Sequence, residues 1–412
     1  MANADTILSL IKFALYLGLA LEVGAGAFAR WISNFDAPGT PQMISRSVNW
    51  RLSRALEIGA GIVVLVSLLD VLQTTYRAFG SLDAQTAWAY LTQSRHGNIS
   101  LARVGLAIAL AGMGLGAGQA AQAIKPWARV FDHFFHAVLA FAVIVTVSMT
   151  GHSGAEGRVL PLLGDVMHVI GMTAWIAAVA GLAWLPIWKT VQPQTFSALN
   201  RVSQVALGSV VLLAATGLYT SLLRFYGLEA VTATPYGQAL IVKGFVIVPV
   251  LALAGLNRWY WIPNLERTRS SKWLNRFGQS MKLESLLLVG VLLATGNLVS
   301  QPPPQPPATL KNPQDFKQNI GGWIASGDFV PSPGGTYLEF QIRDSKGNPP
   351  KEFLPDVTLN LLDHPMIPVR MKLESLEPGK YKGNGSFWMG GKWEAVISLP
   401  DAQKLKVELR AR

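Results

Sequence analysis

The sequence contains no cysteine, which excludes disulfide bonds and thiolate metal ligands. A metal centre in this chain must therefore use histidine, methionine or carboxylate side chains. Charged residues are also scarce, at 14% of 412, whereas half of all residues are apolar. The chain has neither a nucleotide-binding loop nor the phosphorylation signature of an ATP-driven pump. This composition argues against a soluble globular protein and against ATP-driven pumping by this chain alone.

Long apolar runs dominate the first 300 residues. A helix needs roughly 20 apolar residues to span a bilayer, and at least seven windows meet that length. The N-terminus, MANADTILSLIKF, lacks the basic start and the cleavage site of a signal peptide, so we interpret it as leading into a retained first helix. The sequence predicts an all-α polytopic membrane bundle with spans near residues 6–32, 55–76, 99–118, 127–149, 162–188, 200–223, 236–257 and 282–300.

Positive charge alternates between the connecting segments. Alternate segments from 30–54 to 258–282 hold fourteen Lys and Arg residues, and the segments between them hold four. Because Lys and Arg mark the cytoplasmic side, both termini are expected outside the cytoplasm. The net charge of +11 is explained by these loops, so lipid is the expected environment and a nucleic-acid partner is not expected.

The character of the chain changes after residue 300. Residues 301–314, QPPPQPPATLKNPQ, are rich in proline and predict an extended, semi-rigid linker. Residues 315–412 show short alternating stretches such as TYLEFQIR and WEAVISL, separated by turn residues. This spacing predicts a small, all-β, immunoglobulin-like sandwich outside the cytoplasm, following a membrane domain over residues 1–300.

One stripe of polar and sulfur-bearing side chains lies near the start of the fifth predicted span. Its members are spaced three, four and three residues apart and share one helix face: Asp165, His168, Met172 and Trp175. Met149 and His152 end the preceding span and are expected at a similar depth. Imidazole and thioether groups capture copper in the absence of cysteine. The sequence predicts a metal site of His152, His168, Met149 and Met172, with Asp165 and Trp175 around it; the alternative is that the methionines fill gaps and the histidines are hydrogen-bonded.

Two further polar groups lie within the spans. His133, His136 and Glu22 are expected near the cytoplasmic end, either as an inner relay or exit site or as interhelical hydrogen-bonding groups. Asp70, Arg103 and Lys243 fall in the opposite half and are expected to form an ion-pair network. Glu284 lies at the inner boundary, where its side chain is expected to extend towards water.

The last domain offers weaker metal ligands. These are His364, Met366, Met371 and Met389. Strand alternation places Met371 and Met389 on core faces as readily as in a site, and we expect at least one of them in the core.

Several stretches resemble the copper resistance protein D family. LNRVSQVALGSVVLLAATGLY (199–219), TPYGQALIVKGFVIVPVLALAGLNRWYWIP (234–263) and KLESLLLVGVLLATGNLVSQPPP (282–304) are similar to its last three helices. His152, His168 and Trp175 match its histidine-bearing loop and following helix, whereas residues 176–178, Ile-Ala-Ala, replace a glycine pair. The C-terminal domain resembles YtkA-like or FixH-like periplasmic domains.

The resemblance implies copper transfer across the inner membrane, without an enzymatic reaction. Two other functions stay open. One is a haem-binding redox protein, with haem b held by helix-borne histidines. The other is a copper chaperone or assembly subunit for a cuproenzyme, with a periplasmic copper-binding protein or the cuproenzyme as partner.

Overall fold

The structure of the chain was obtained as a computed structural model. It describes residues 2–32, 42–79, 82–120, 126–155, 158–185, 193–225, 229–304, 314–330, 336–350, 353–362, 368–385, 391–400 and 403–411.

Helices make up the first 300 residues. They are α1 (Ala2–Ala27), α2 (Gln42–Phe79), α3 (Ala84–Gln93), α4 (Arg95–Ala120), α5 (Pro126–Met149), α6 (His152–Ala155), α7 (Val159–Trp184), α8 (Pro193–Arg224), α9 (Glu229–Ala233), α10 (Pro235–Leu256), α11 (Ile262–Thr268) and α12 (Ser271–Ser300). Eight of them are long and apolar enough to cross a membrane: α1, α2, α4, α5, α7, α8, α10 and α12. The eight predicted spans are therefore confirmed, and the chain is a multi-pass membrane protein.

The helices extend beyond the apolar runs that predicted them. Helix α2 begins at Gln42 rather than near residue 55, and α12 begins at Ser271 rather than near 282. Hydropathy detects the lipid-facing part of a helix, whereas backbone hydrogen bonding continues into its polar end. Two five-residue π-helical segments, Phe28–Ile32 and Asn257–Trp261, directly follow α1 and α10.

The chain divides into two compact units. The first comprises residues 1–70, 99–150 and 160–302, and the second residues 71–98, 151–159 and 303–412. The described helices of the first unit pack around two apolar clusters. Phe28, Trp175 and Phe277 belong to one cluster, and Leu15, Val143 and Val169 belong to the other. Large apolar side chains such as Leu218 and Phe245 remain exposed, as expected for helices that face lipid.

Small residues set the closest helix contacts of the first unit. A Cβ atom on Gly24 of α1 would lie 2.9 Å from Cβ of Ala177 on α7, and one on Gly296 of α12 would lie 2.5 Å from the Ser9 carbonyl oxygen. Residues 176–178 lack the glycine pair of the family, but Gly24 on the facing helix α1 still lets the two helices approach closely at Ala177. Such contacts bring helix backbones together where lipid supplies no hydrophobic driving force.

The C-terminal part is an antiparallel β-sandwich, as predicted. Its strands are β1 (Gln314–Ile320), β2 (Trp323–Val330), β3 (Thr336–Asp344), β4 (Val357–Leu361), β5 (Val369–Glu377), β6 (Lys380–Gly385), β7 (Gly391–Ser398) and β8 (Lys404–Ala411). Their order is β1-β2-β3-β6-β5-β4-β7-β8. Strand β5 pairs with β4 through residues 369–371 and with β6 through residues 372–377, so it belongs to both layers. The two outermost strands, β1 and β8, also touch each other.

The sandwich has its own core. Trp393, Tyr381 and Phe340 are almost completely buried in it, and Tyr381 donates a hydrogen bond to the Phe353 carbonyl oxygen over 2.6 Å. Met371 is buried against Gly383, so this methionine fills the core, as expected for at least one of the two strand methionines. His364, Met366 and Met389 lie outside the described residues.

Candidate functional site

His168 is held in one orientation by a neighbouring helix. Its Nδ1 lies 2.9 Å from the Thr216 hydroxyl on α8, and that hydroxyl donates to the Leu212 carbonyl oxygen over 2.7 Å. When the Thr216 hydroxyl donates its single proton to Leu212, Nδ1 of His168 is the donor in this contact. This arrangement favours the tautomer in which Nε2 carries a free lone pair, which is the form that binds a metal.

Close packing of α7 on α8 produces this contact. Gly164 and Gly171 flank His168 on one face of α7. A Cβ on Gly164 would lie 3.0 Å from the Tyr219 ring, and one on Gly171 would lie 3.2 Å from Cγ of Leu213. The two glycines let α8 approach until Thr216 reaches the imidazole. Thr216 was not singled out from the sequence, because an apolar span shows which residues it contains but not which helix it meets.

Asp165 sits among cations and hydroxyl groups. Lys243 of α10 and Arg224 of α8 interact electrostatically with its carboxylate, and Ser148 of α5 lies close to it. Lys243 also interacts electrostatically with His168. Any cation bound at His168 thus meets a positive neighbour, which Asp165 offsets.

Asp70 and Arg103 have partners that the sequence reasoning missed. Lys12 of α1 donates to both carboxylate oxygens of Asp70, over 2.8 and 2.9 Å. The buried Arg103 donates to the Thr146 carbonyl oxygen over 2.8 Å and to the Thr150 hydroxyl over 2.6 Å, and it interacts electrostatically with Asp70. Asp70 and Arg103 thus also interact with each other, and Lys243 interacts with Asp165; a single network of Asp70, Arg103 and Lys243 stays a prediction.

The remaining members of the predicted metal site lie on three elements. Met172, on α7, packs against the apolar cluster that includes Leu15 and Val143. Met149 is the last residue of α5, and His152 begins α6 in the second unit. The convergence of these side chains with His168 stays a prediction. Among the residues that the structure describes, no group of three or more His, Asp or Glu side chains is arranged to hold a metal ion.

His96 is a further histidine that the sequence analysis did not select. It lies in the first turn of α4 and its ring centroid is 6.1 Å from that of Tyr90. The adjacent Arg95 donates to the Gly154 carbonyl oxygen of α6 over 3.1 Å. Within the second unit, the start of α4 therefore contacts the short helix that His152 begins.

The predicted inner relay contains two fully buried groups. Glu22 and His136 are both 0% exposed, and in the described part of the chain neither their carboxylate oxygens nor their ring nitrogens have hydrogen-bond partners. The His136 ring lies directly on Gly26 of α1. His133 is partly exposed and its ring centroid lies 6.2 Å from that of Trp31. Asp132 pairs with Arg30, with contacts of 2.9 and 3.0 Å.

The expectation that Glu284 extends towards water is wrong. This residue is 2% exposed, and its carboxylate accepts a hydrogen bond of 2.6 Å from the Asn257 side chain. Asn257 begins the π-helical segment after α10 and in turn accepts from the Ser280 hydroxyl over 2.6 Å. Trp175, buried in the same apolar cluster as Met281, directs its indole towards Glu284. A polar partner on another helix made burial possible.

Eight apolar helices enclosing buried carboxylate, imidazole and thioether groups define a polytopic membrane protein with a polar interior. Comparison with known proteins gives its family. Residues 1–162 match the model of the copper resistance protein D-like N-terminal domain, and residues 196–298 match that of copper resistance protein D. The membrane part of the chain belongs to the copper resistance protein D family.

One curated relative is the copper transport protein CutJ of Bacillus subtilis (strain 168). It is 25% identical over 229 residues, which cover 54% of this chain and 40% of the relative. The chain thus matches less than half of that protein's length. No solved structure matches this chain. These names point to copper resistance and transport rather than to catalysis.

Proposed function

We propose that this protein carries copper across the bacterial cytoplasmic membrane through a site centred on His168. The observation that supports this most directly is the Thr216 contact, which leaves Nε2 of His168 able to bind a metal. Met172, one turn along the same face, supplies a thioether that favours cuprous copper. His152 and Met149 complete the proposed ligand set, and Asp165 offsets part of the added charge.

The proposal also covers the orientation of the protein in the membrane and its partner. Both termini lie outside the cytoplasm, so the first turns of α7 receive copper from that side, and the β-sandwich receives or presents copper in the same compartment. A periplasmic copper-binding protein is the proposed partner, and the protein catalyses no reaction. The family match and the relative's name support copper over the haem alternative.

Copper binding to the purified protein tests the site. His168→Ala is expected to weaken binding more than Met172→Ala, with His152→Ala equal to His168→Ala or intermediate. A thioether is a weak ligand for cupric copper, so Met172→Ala matters mainly under reducing conditions. Binding is expected to fall at low pH, because a protonated imidazole cannot ligate a metal ion. A His168→Ala protein with wild-type affinity refutes the site.

Copper flux into reconstituted vesicles then separates transport from a chaperone role. A transporter moves copper across the vesicle membrane, and the flux falls in His168→Ala. Copper binding without any flux supports the chaperone or assembly function instead.

A further inference from the structure

Burying the Glu22 carboxylate costs free energy of desolvation, and no described neighbouring group offsets this cost. Its side chain is completely buried in the bundle, and both carboxylate oxygens are without a hydrogen-bond partner among the described residues. Burying an ionised carboxylate without a partner costs several kcal/mol or more, because the charge loses its water. The neutral, protonated acid avoids most of that cost.

Glycines hold Glu22 in this position. A Cβ on Gly59 of α2 would lie 2.4 Å from the Glu22 amide nitrogen, and one on Gly18 would lie 3.1 Å from the Gly59 carbonyl oxygen. Helices α1 and α2 therefore meet backbone to backbone at this level. The close contact leaves no room on that side for a solvating group, and Glu22 is too short to reach the end of its helix.

His136 provides a base one helical turn away. Its ring lies on Gly26, four residues after Glu22 on the same face of α1 and about 6 Å along the axis. It is completely buried, and neither ring nitrogen has a described partner. The Arg30–Asp132 pair lies four residues beyond Gly26, in the π-helical segment that follows α1, and four residues before His136 on α5. Glu22, His136 and Asp132 thus follow one another along the interface of α1 and α5.

The other titratable groups on the surrounding helices are engaged elsewhere. Charges that act on His136 come from Arg30, Asp132 and His133. Facing groups on α2, α4, α7 and α12 have their own contacts: Asp70 with Lys12, Glu57 with Arg54, Arg103 with Thr146, Asp165 with Lys243, His168 with Thr216, and Glu284 with Asn257. Glu22 therefore lacks a described counter-charge.

A proton fits this position better than a metal ion. A copper ion needs several converging donors, and the described residues hold no group of three His, Asp or Glu side chains arranged for a metal. A proton needs a single oxygen. Buried acids inside membrane helices are, moreover, typical of proton relays.

We propose that Glu22 is a proton-binding site of the membrane bundle and that His136 accepts its proton on the way to the Arg30–Asp132 end. In this step the O–H bond of the acid breaks, a water molecule between the two groups accepts that proton and donates one of its own, and an N–H bond forms on the imidazole. The imidazole then releases its proton to water beside the partly exposed His133. A second part rests on the proposed function: protons released from Glu22 compensate the charge of copper crossing the same bundle.

Infrared spectroscopy of the copper-free protein tests the first part. Glu22→Gln is expected to remove the carbonyl stretching band of a protonated carboxyl group from the wild-type spectrum. The matched control is Glu57→Gln on α2, since Glu57 is partly exposed and paired with Arg54 over 3.0 Å; this variant should remove only ionised carboxylate bands. If Glu22→Gln also removes only carboxylate bands, the proposal fails. A Glu22→Gln protein that does not assemble also contradicts it, because glutamine reproduces the size and neutrality of the protonated acid.

Vesicles containing a trapped pH indicator test the second part. Copper addition should drive proton movement with the wild type and with Glu57→Gln, and none with Glu22→Gln, whose copper affinity in detergent is unchanged. Copper flux without proton movement in the wild type would show that copper and proton movement are not coupled. The infrared experiment would then still decide whether Glu22 binds a proton. If copper flux is absent altogether, the transport function and the coupling both fail, and the infrared test still decides whether Glu22 binds a proton.

Discussion

At the scale of single residues, the decisive contacts join side chains that are far apart in the sequence. His168 and Thr216 are 48 positions apart, and Glu284 and Asn257 are 27 apart. The stripe of Asp165, His168, Met172 and Trp175 on α7 was predictable, because helical periodicity fixes which residues share a face. The residues opposite that stripe were not predictable, since they depend on how α8 and α12 pack.

The hydroxyl of Thr216 should set copper affinity through the His168 ring. Thr216→Val removes the acceptor for Nδ1 and is expected to weaken copper binding about ten-fold, the lower end of effects for groups that orient metal ligands. Thr216→Ser keeps the hydroxyl and should bind like the wild type. Competition titration with a copper chelator measures both variants. Equal affinities for valine and serine would show that the hydrogen bond does not orient a ligand.

At the scale of elements, glycine contacts decide how closely the helices approach. The run GAGAFA (24–29) contains two glycines, and the sequence alone does not indicate which of them meets His136. Lys12 was also missed, because one lysine inside an apolar run changes hydropathy little and its partner Asp70 lies on α2. Helix number was predictable from apolar length, whereas helix ends and pairings required the packed structure.

Gly26→Ala should disrupt the interface of α1 and α5. The added methyl group would lie 2.1 Å from Cε1 of His136, so the ring or the helix must move. Overpacking of this kind costs about 1–3 kcal/mol. Gly61→Ala on α2 is the matched control, because among the described residues no atom outside its own stretch of helix lies within 4 Å of the added methyl group. Thermal unfolding in detergent should show a lower midpoint for Gly26→Ala alone; equal midpoints would contradict the packing described.

An acidic row across three strands of the sandwich should respond to pH. Asp328 of β2 lies opposite Asp315 of β1 and Glu339 of β3. Partial burial, a hydrogen bond with Asp315 and the charges of Asp315 and Glu339 raise the pKa of Asp328 above its ordinary value. A raised pKa means that the stabilising contribution is present below the unfolded-state pKa and is lost as pH rises through the folded-state pKa.

Asp328→Asn should therefore stabilise the sandwich at neutral pH, by a few tenths of a kcal/mol, which is typical of opposed like charges. Asp344→Asn is the control with the opposite sign, because hydrogen bonds from Asn348 and Lys346 hold the pKa of Asp344 below its ordinary value. Hydrogen exchange of the β2 and β3 amides in the intact protein measures both. Faster exchange in Asp328→Asn than in the wild type at pH 7 would contradict the expectation.

At the scale of the whole molecule, the fold was largely predictable and the orientation remains to be measured. Apolar runs revealed the bundle, and alternation with turn residues revealed the sandwich, because both patterns record burial directly. The order β1-β2-β3-β6-β5-β4-β7-β8 was not predictable. Strand β5 pairs with strands of both layers, but its sequence does not differ in pattern from the other strands.

Reporter fusions test the orientation. The charge distribution predicts that a reporter after Arg412 is active only if it works outside the cytoplasm. The control is the same reporter placed in the 119–130 segment, which should show the opposite behaviour. A cytoplasmic reporter that is active after Arg412 would reverse the predicted topology.

The contact between the first and last strands of the sandwich has a consequence for solubility. Unpaired strand edges recruit other chains, and proteins protect them by covering or closing them. Here β1 and β8 are the two edges of one continuous strand order, and they touch each other. Removing β8 would therefore expose two strand edges at once, the edge of β7 and the edge of β1. The eight-residue strand β8, Lys404–Ala411, thus covers edges that would otherwise be open to pairing with a second copy of the domain.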